Sequence, residues 1–304
     1  MTETDPPTGS RADWLADRAL RGLLASVMAL PYETRVPMMG TALRRAIGPL
    51  VGYRRRAEAN LKRIYPAMPA PQRREIAGGV CDNFGRTLIE NYSHVELGAR
   101  LAGTQAQGDG LAPLAQAHAE GRPVIFVTGH YGNHEAPRHV LANMGFTVGG
   151  LYRPMANPYF NAHYAQTMTS WGGPVFAQGP RGTMGFARHL KGGGMGTLLF
   201  DVNRDDGTPI PFLGRPALTS LSAAEIALKF EALLLPYFGI RTASGLDFDV
   251  VIEAPIPHSD PVTMTRSMTE RLEARIAADP AQWFWIHRRW KDKGGRLSAA
   301  APHP

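Results

Sequence analysis

The chain has 304 residues, of which 44% are hydrophobic and 19% charged, so it is long enough for one large domain or two small ones and is not wholly disordered. The formal net charge of +7 favours an anionic partner, and nucleic acid, an anionic membrane surface and an acidic carrier protein all fit it. Cys81 is the only cysteine, which excludes an intramolecular disulfide and any multi-cysteine zinc or iron–sulfur site.

The first part of the chain, residues 13 to 100, has mostly helical patterns. Its most apolar stretch spans residues 22 to 31, well short of the roughly 20 apolar residues that a membrane-spanning helix needs. Arginines lie on both sides of this stretch, among them Arg18, Arg21 and Arg35. Two structures fit the pattern: a basic amphipathic helix in a membrane interface, or an ordinary helix packed on the core.

From residue 121 onward, short apolar runs alternate with helical patterns. The runs that predict strands are residues 123–128, 146–152, 196–201, 232–238 and 248–255. The segments that predict helices are residues 134–143, 158–171, 181–191, 219–231 and 263–280. Strands that alternate with helices predict an α/β fold, with a mostly parallel central sheet flanked by helices and a helical N-terminal region.

The same patterns suggest how the chain is organised. Residues 1 to 12 are polar, lack the basic and apolar regions of a signal peptide, and predict a disordered leader. Residues 13 to 293 are expected to form a single domain, with a helical, membrane-associating part at residues 13 to 100. Residues 294 to 304 are expected to be a flexible tail. No internal repeat and no long linker divides the sequence into two units.

The first predicted strand leads directly into the sequence GHYGNHEAPRH, residues 129 to 139. In an open α/β sheet, active residues lie just beyond the carboxyl ends of strands, and His130 follows the predicted strand by two residues. Glu135 falls in the first turn of the next helix, and two glycines permit a tight turn. The carboxylate can then reach the imidazole, fix its tautomer and leave the other ring nitrogen as a general base. A buried histidine that caps the turn is the competing interpretation.

A metal site is a second possibility, because His130, His134 and His139 cluster around Glu135. A zinc-protease helix needs two histidines four residues apart on one face. His134 and His139 lie about 140° apart around a helix, so the spacing disfavours zinc. The sequence has no nucleophile elbow and no P-loop. If His130 is a base, the nucleophile should therefore belong to a substrate, most simply a hydroxyl group.

Polar residues also follow the next predicted strands. Arg153 is expected on the same rim as His130, where it would hold a phosphate or carboxylate, or else form a surface salt bridge. Asp201 stands at a strand end and would orient Arg153 or another basic group. Arg204 lies in the acidic loop that follows. Such loops often merely solvate a turn, and a divalent-cation site is the open alternative there.

The C-terminal sequence QWFWIHRRWKDKGGR, residues 282 to 296, interleaves three tryptophans with basic residues. Aromatic rings next to cations suit an anionic interface, either lipid headgroups or nucleic acid. A helix whose aromatic rings pack inward fits the pattern equally. No recognised nucleic-acid-binding signature accompanies these residues.

Taken in order, these segments resemble the lysophospholipid-type acyltransferase superfamily and, within it, the late acyltransferases of lipid A biosynthesis (lauroyl or myristoyl type). HYGNHE fits that group's H-x4-[DE] motif. The supporting segments are EANLKRIYP (58–66), YRP (152–154), LLFD (198–201), IPFLGRPALTS (210–220) and QWFWIHRRWK (282–291). The resemblance spans about residues 13 to 293. It departs from the family at His134, where an aromatic residue is usual, and at DVNRDDG, which replaces a commoner Asp-Gln start of the loop.

The resemblance implies acyl transfer from an acyl thioester, normally on acyl carrier protein, to a hydroxyl group of a lipid A precursor. His130 would deprotonate that hydroxyl and Glu135 would orient its ring, with no cofactor and no metal required. The expected substrate-binding residues are Arg153, Asp201, Asn133 and Arg204. The partners are then acyl carrier protein, an anionic lipid acceptor and a membrane surface, not nucleic acid. The expected location is peripheral, on the cytoplasmic face of the bacterial inner membrane.

Three other functions stay open at this point. The first is acyl transfer to another membrane lipid, such as a phosphatidylinositol mannoside or an aminolipid. The second is a non-catalytic membrane- or nucleic-acid-binding protein that keeps the fold. The third is a metal-dependent hydrolase that uses the histidine cluster.

Overall fold

The computed structural model describes residues 8–169 and 173–292. Its helices are α1 (Arg11–Met28), α2 (Tyr32–Ala42), α3 (Gly48–Leu50), α4 (Tyr53–Ile64), α5 (Ala70–Tyr92), α6 (His94–Arg100), α7 (Leu111–Ala119), α8 (Ala136–Asn143), α9 (Pro158–Thr169), α10 (Pro180–Lys191), α11 (Ser222–Lys229) and α12 (Pro261–Ala278). A π-helical turn occupies Leu43–Ile47, and 3-10 turns occupy Leu101–Gly103 and Pro280–Gln282. The strands are β1 (Ala106–Gln107), β2 (Val124–Thr128), β3 (Val148–Tyr152), β4 (Val175–Ala177), β5 (Met195–Leu199), β6 (Thr208–Phe212), β7 (Arg215–Thr219), β8 (Leu233–Arg241) and β9 (Phe248–Ile252).

Seven strands form one sheet in the order β1-β9-β8-β2-β5-β3-β4, in which every pairing is parallel except that of β8 with β9. All five residues of β2 are buried, as expected for a strand covered by helices on both faces. One hydrophobic cluster includes residues of α10, α11 and α12, and a second includes residues of α7 and α8. The predicted α/β fold with a mostly parallel sheet is therefore confirmed.

The strands that the sequence did not predict are the short or proline-containing ones. β1 and β4 have two and three residues, too few for a recognisable hydrophobic period. β6 and β7 form a separate antiparallel hairpin whose strands contain Pro209, Pro211 and Pro216. The two-residue loop between them, Leu213 and Gly214, has positive φ at both positions, as in a type I′ turn. The hairpin turn is therefore built without the usual Asn-Gly or Asp-Gly pair.

Helix α1 begins at Arg11, two residues before the expected boundary, because Ser10 and Asp13 form a capping box. The rest of the predicted leader lies largely outside the described residues, and the predicted tail, residues 294–304, lies there entirely. Leu24, Val27 and Met28 pack against the core, while Trp14 is exposed, as are Leu15, Leu20 and Leu23. The helix thus packs on the core near its C-terminal end and leaves four large apolar side chains exposed. No helix within the described ranges has the length and apolarity needed to cross a bilayer.

The C-terminal tryptophans pack inward, as the second sequence-based interpretation of their segment expects, but they do not do so from a helix. After the 3-10 turn Pro280–Gln282 the described chain, up to residue 292, is not helical. Trp283, Trp285 and Trp290 are nevertheless buried, so their rings are not available to an anionic interface. They pack against one another, with ring centroids 4.8 to 6.1 Å apart. Mutual aromatic packing, rather than a helix, holds this segment on the core.

Candidate active site

The central strand β2 delivers His130 to the carboxyl-terminal edge of the sheet. The strand ends at Thr128, and Gly129 then passes so close to α12 that a Cβ atom there would lie 2.7 Å from the Leu272 side chain. Gly132 has φ +55°, and a Cβ atom there would lie 2.0 Å from the carbonyl oxygen of Gly239. Residue 132 therefore requires glycine, whereas a side chain at residue 129 would have to displace Leu272. The loop is tightly packed, and His130 keeps a third of its side chain exposed.

His130 is bound by Asp201. One carboxylate oxygen lies 2.8 Å from the ring Nδ1, and the other accepts the His130 backbone N–H at 2.8 Å. The strand register explains this pairing: β2 and β5 are parallel neighbours in which Thr128 pairs with Leu199, and each of the two residues lies two positions further on. Asp201 is almost completely buried and also accepts a hydrogen bond from Trp283 Nε1 at 2.9 Å.

The two groups stabilise each other's charged form. Burial raises the pKa of the Asp201 carboxyl. The charge of His130 and hydrogen bonds from His130 and Trp283 lower that pKa by more, so it lies well below its usual range. Burial lowers the pKa of His130, but the Asp201 charge and hydrogen bond, together with the charge of Glu135, raise it above the ordinary value. Because an ionised carboxylate only accepts hydrogen bonds, Nδ1 carries the proton in the neutral ring.

Glu135 does not take the predicted place on the His130 ring. Its carboxylate accepts a hydrogen bond from Arg138 Nη1 at 3.0 Å, and both side chains are buried. Arg138 also donates to the carbonyl oxygen of Val148 in β3. Within the described ranges, no hydrogen bond joins Glu135 to His130. The physical reason is that the first turn of α8 directs Glu135 toward Arg138, one helical turn away, whereas the strand register presents Asp201 to His130.

The other two histidines of the motif are neutral. His134 lies beside His130, with ring centroids 5.3 Å apart and ring planes tilted by 59°, and its Nε2 lies 3.8 Å from a Glu135 oxygen. Burial, and then the charge of His130, lower its pKa to about 3. Burial likewise lowers the pKa of His139 to about 4. Over residues 8–169 and 173–292, no group of three or more His, Cys, Asp or Glu side chains is arranged to hold a metal ion.

The predicted substrate-binding residues are not all at one surface. Arg153 follows β3 and is exposed, at the same edge of the sheet as His130. Arg204 is also exposed and forms a salt bridge of 3.1 Å with Asp206. Asn133 is not placed as the expected substrate contact, because its side chain is fully buried. It donates a hydrogen bond to Glu90 and accepts one from the Glu135 backbone N–H, each at 2.9 Å. Asn133 therefore holds the loop instead of facing solvent.

The C-terminal segment contributes positioning residues that sequence reasoning did not assign. Trp283 binds Asp201 directly, and the ring of Phe284 lies 5.8 Å from that of His130. Asn203, two residues after Asp201, donates its backbone N–H to His287 Nε2 at 2.7 Å. In the sequence, only the QWFWIHRRWK segment pointed to these residues. Its pattern is compatible with a surface or a helix, and it does not show which loop the segment contacts.

This arrangement suits proton transfer. The Nε2 atom of His130 forms no hydrogen bond with any residue that the structure describes, while Nδ1 is held by a buried carboxylate. A hydroxyl group placed at Nε2 would lose its proton to a ring whose cationic form is already stabilised. Asp201 fixes both the tautomer and the ring orientation, as the carboxylate does in a catalytic triad.

The comparisons with known proteins agree over nearly the whole chain. Residues 11–292 match a family model described as bacterial lipid A biosynthesis acyltransferase. A lipid A biosynthesis acyltransferase of Haemophilus influenzae is 25% identical over 272 residues, which cover 84% of this chain and 81% of the relative. The lipid A biosynthesis lauroyltransferase of Escherichia coli is 24% identical and covered over 90% of each chain. The myristoyltransferase of the same organism is 22% identical, over 90% of this chain and 84% of its own.

Proposed function

We propose that this chain, which belongs to the bacterial lipid A biosynthesis acyltransferase family and is therefore an acyltransferase, moves a fatty acyl group from the thioester of acyl carrier protein to a hydroxyl group of a lipid A precursor. Membership of this family implies an acyl donor and a lipid acceptor. The carrier protein, the hydroxyl and the residues that carry out the transfer are parts of the proposal.

The observation that carries the proposal is the contact between His130 and Asp201. The imidazole lies at the end of the central strand, its Nδ1 is 2.8 Å from a buried carboxylate, and it is partly exposed. Nε2 then acts as the general base for the acceptor hydroxyl. No second side chain is needed as nucleophile, because the acceptor oxygen attacks the thioester itself.

The transfer has two steps. In the first, His130 Nε2 takes the hydroxyl proton while the acceptor oxygen forms a bond to the thioester carbonyl carbon, and the carbonyl oxygen becomes an oxyanion. In the second, the carbon–sulfur bond breaks, the carbonyl is restored, and the proton on Nε2 passes to the leaving thiolate. The products are the acylated lipid and the free thiol of the carrier. His130 ends in its starting protonation state.

The remaining residues have separate proposed roles. Asp201 orients the imidazole, and Glu135 adds negative charge that favours the imidazolium, since its charge raises the pKa of His130 without a hydrogen bond to the ring. Arg153, exposed at the same edge, binds an acceptor phosphate. Arg204 supplies a second exposed cation on the loop that follows Asp201.

The location of the protein follows from its substrates. We expect peripheral attachment at the cytoplasmic face of the bacterial inner membrane, where a lipid acceptor and a soluble acyl carrier meet. The exposed apolar side chains of α1, with Trp14 among them, support an interfacial role for that helix. The net charge of +7 suits both the anionic lipid and the acidic carrier.

Lipid mass spectrometry tests the proposal. Membranes of a strain that lacks the protein should contain lipid A short of one acyl chain, and the wild-type gene should restore that chain while His130→Ala should not. A chelator should leave acyl transfer by the purified protein unchanged, since His130 acts without a metal. Loss of an acyl chain from a different lipid would identify that lipid as the acceptor instead. Full restoration by His130→Ala would overturn the assignment of His130 as the base.

A further inference from the structure

Three apolar side chains project into solvent where the π-helical turn, α3 and α4 meet. Ile47, Leu50 and Val51 are exposed, and Leu50 has 87% of its surface accessible. We call these three residues the apolar tip. Exposure of this degree for adjacent branched residues is costly in water unless another surface covers them. The tip is distinct from the exposed face of α1.

The backbone of the tip is built to project these side chains. Gly48 packs so closely that a Cβ atom there would lie 2.4 Å from the Leu43 carbonyl oxygen and 2.9 Å from Cys81 Sγ. Gly52 has φ +78°, and it turns the chain into α4 directly after Val51. Two glycines thus fix both ends of the projecting turn, which indicates a defined structure instead of a frayed one.

The sequence on both sides of the tip is rich in cations. Residues 43–64 contain seven of them, Arg44, Arg45, Arg54, Arg55, Arg56, Lys62 and Arg63, against the single anion Glu58, a net charge of +6. Arg45 and Arg55 are exposed and form no ion pair with the residues that the structure describes. An apolar projection flanked by arginines matches the two layers of an anionic bilayer: the arginines match the headgroup phosphates, and the apolar side chains match the acyl chains below them.

A row of aromatic rings connects the tip to His130. Tyr53, in the first turn of α4, lies 6.0 Å from Phe84, and Phe84 lies 4.9 Å from Phe284 (ring centroids). Phe284 in turn lies 5.8 Å from the His130 ring. All four rings are partly exposed. The aromatic row is therefore a partly exposed chain of ring contacts between α4, next to the tip, and His130.

We propose that the apolar tip enters the acyl region of an anionic lipid bilayer, that Arg45 and Arg55 bind the headgroup phosphates, and that this docking brings the aromatic row and His130 to the membrane. An acidic protein would complement the arginines equally, but it would leave Leu50 exposed or require an apolar cavity of its own. The bilayer satisfies both features at once. The proposal concerns membrane binding and does not depend on the identity of the acyl donor or acceptor.

Vesicle co-sedimentation of the purified full-length protein tests this surface. Binding to phosphatidylglycerol/phosphatidylcholine vesicles should exceed binding to phosphatidylcholine alone. The double variant Leu50→Asp/Val51→Asp should lower the partition coefficient at least about tenfold, because two apolar side chains that enter the bilayer become charged. Arg45→Ala and Arg55→Ala should each lower it about fivefold on the anionic vesicles only.

Matched controls lie on α10. Met184 and Arg188 are also exposed, so Met184→Asp and Arg188→Glu test whether any exposed apolar or basic residue has the same effect. We expect their binding to stay within about twofold of wild type. Circular dichroism and thermal melts confirm that each variant is folded. Unchanged vesicle binding by Leu50→Asp/Val51→Asp overturns the proposal. An equal loss of vesicle binding in the α10 controls also overturns it. Loss of acyl carrier protein binding in the arginine variants, with vesicle binding intact, overturns it as well.

Discussion

The carboxylate of Asp201 lies 2.8 Å from Nδ1 of His130, although 71 residues separate them in the sequence. The contact is a direct product of strand pairing, because each residue stands two positions beyond a paired residue of β2 or β5. Parallel pairing of adjacent strands places their carboxyl ends side by side. The imidazole is therefore oriented by a carboxylate that the register of two paired strands brings to it.

Replacing Asp201 by Asn should abolish most of the transferase activity. An amide can present an N–H to Nδ1 and so stabilise the wrong tautomer, and kcat should fall on the order of 10³- to 10⁴-fold. Because the Asp201 charge raises the pKa of His130, its loss lowers that pKa, and the acidic limb of the pH–rate profile should move to lower pH. A pH–rate series on variant protein shown to be folded checks both effects. An unmoved acidic limb would exclude this role for Asp201.

Glu135 should contribute more to stability than to catalysis. Glu135→Ala removes the carboxylate that faces the buried Arg138, which should lower the free energy of unfolding by about 3–5 kcal/mol. Glu135→Gln keeps the size and a hydrogen-bond acceptor, so the variant should fold. Because it removes the charge that raises the pKa of His130, its kcat should fall only about tenfold. Urea unfolding and steady-state kinetics measure the two quantities. If Glu135→Gln were as inactive as Asp201→Asn, Glu135 would have to contact His130 directly during the reaction.

Trp283 should act on the reaction through Asp201. Trp283→Phe removes the indole N–H that binds the carboxylate at 2.9 Å, and we expect kcat to fall about tenfold with little change in KM. The cost in unfolding free energy should be about 1–3 kcal/mol. Trp290→Phe is the matched control, since Trp290 is also buried but donates to the Phe212 carbonyl oxygen. A similar fall in kcat for both variants would indicate a purely structural role for Trp283.

His134 should be replaceable by an aromatic residue. Its ring lies beside that of His130, with centroids 5.3 Å apart. It is neutral at physiological pH, because burial and the charge of His130 lower its pKa to about 3. His134→Phe keeps the ring contact and should retain activity within about threefold, whereas His134→Ala leaves a cavity and should lose stability by about 2 kcal/mol. Kinetics and thermal melts separate these outcomes. A hundredfold loss in His134→Phe would instead assign a hydrogen-bonding role to the imidazole.

Gly132 should tolerate no side chain. Its φ is +55°, and a Cβ atom would lie 2.0 Å from the Gly239 carbonyl oxygen, so Gly132→Ala must both strain the backbone and displace β8. We expect a loss of about 4 kcal/mol or more in the free energy of unfolding. Gly121→Ala has a similar φ of +65° with open space around it, so it should cost only about 1–2 kcal/mol. Equal losses in the two variants would show that backbone strain alone, without the clash, accounts for the effect.

Local sequence patterns are enough to predict the fold class and to place His130 just beyond a strand. The alternation of apolar runs and helical patterns specified a mostly parallel sheet, because strand and helix periods are local properties of the chain. The placement of His130 just beyond a buried strand was equally local. The same local patterns left β1, β4 and the β6–β7 hairpin unpredicted, since those strands are too short or too rich in proline to show a period.

The carboxylate that binds the imidazole is set by the tertiary structure. Glu135 is near His130 in sequence, but the turn of α8 directs it to Arg138, whereas Asp201 reaches Nδ1 through the register of two strands. The contact of buried Trp283 with Asp201 could not be predicted either. A run of tryptophans and cations has the same composition on a surface as in a core. Partners set by strand register and long-range packing depend on residues far apart in the chain, and local patterns do not contain that information.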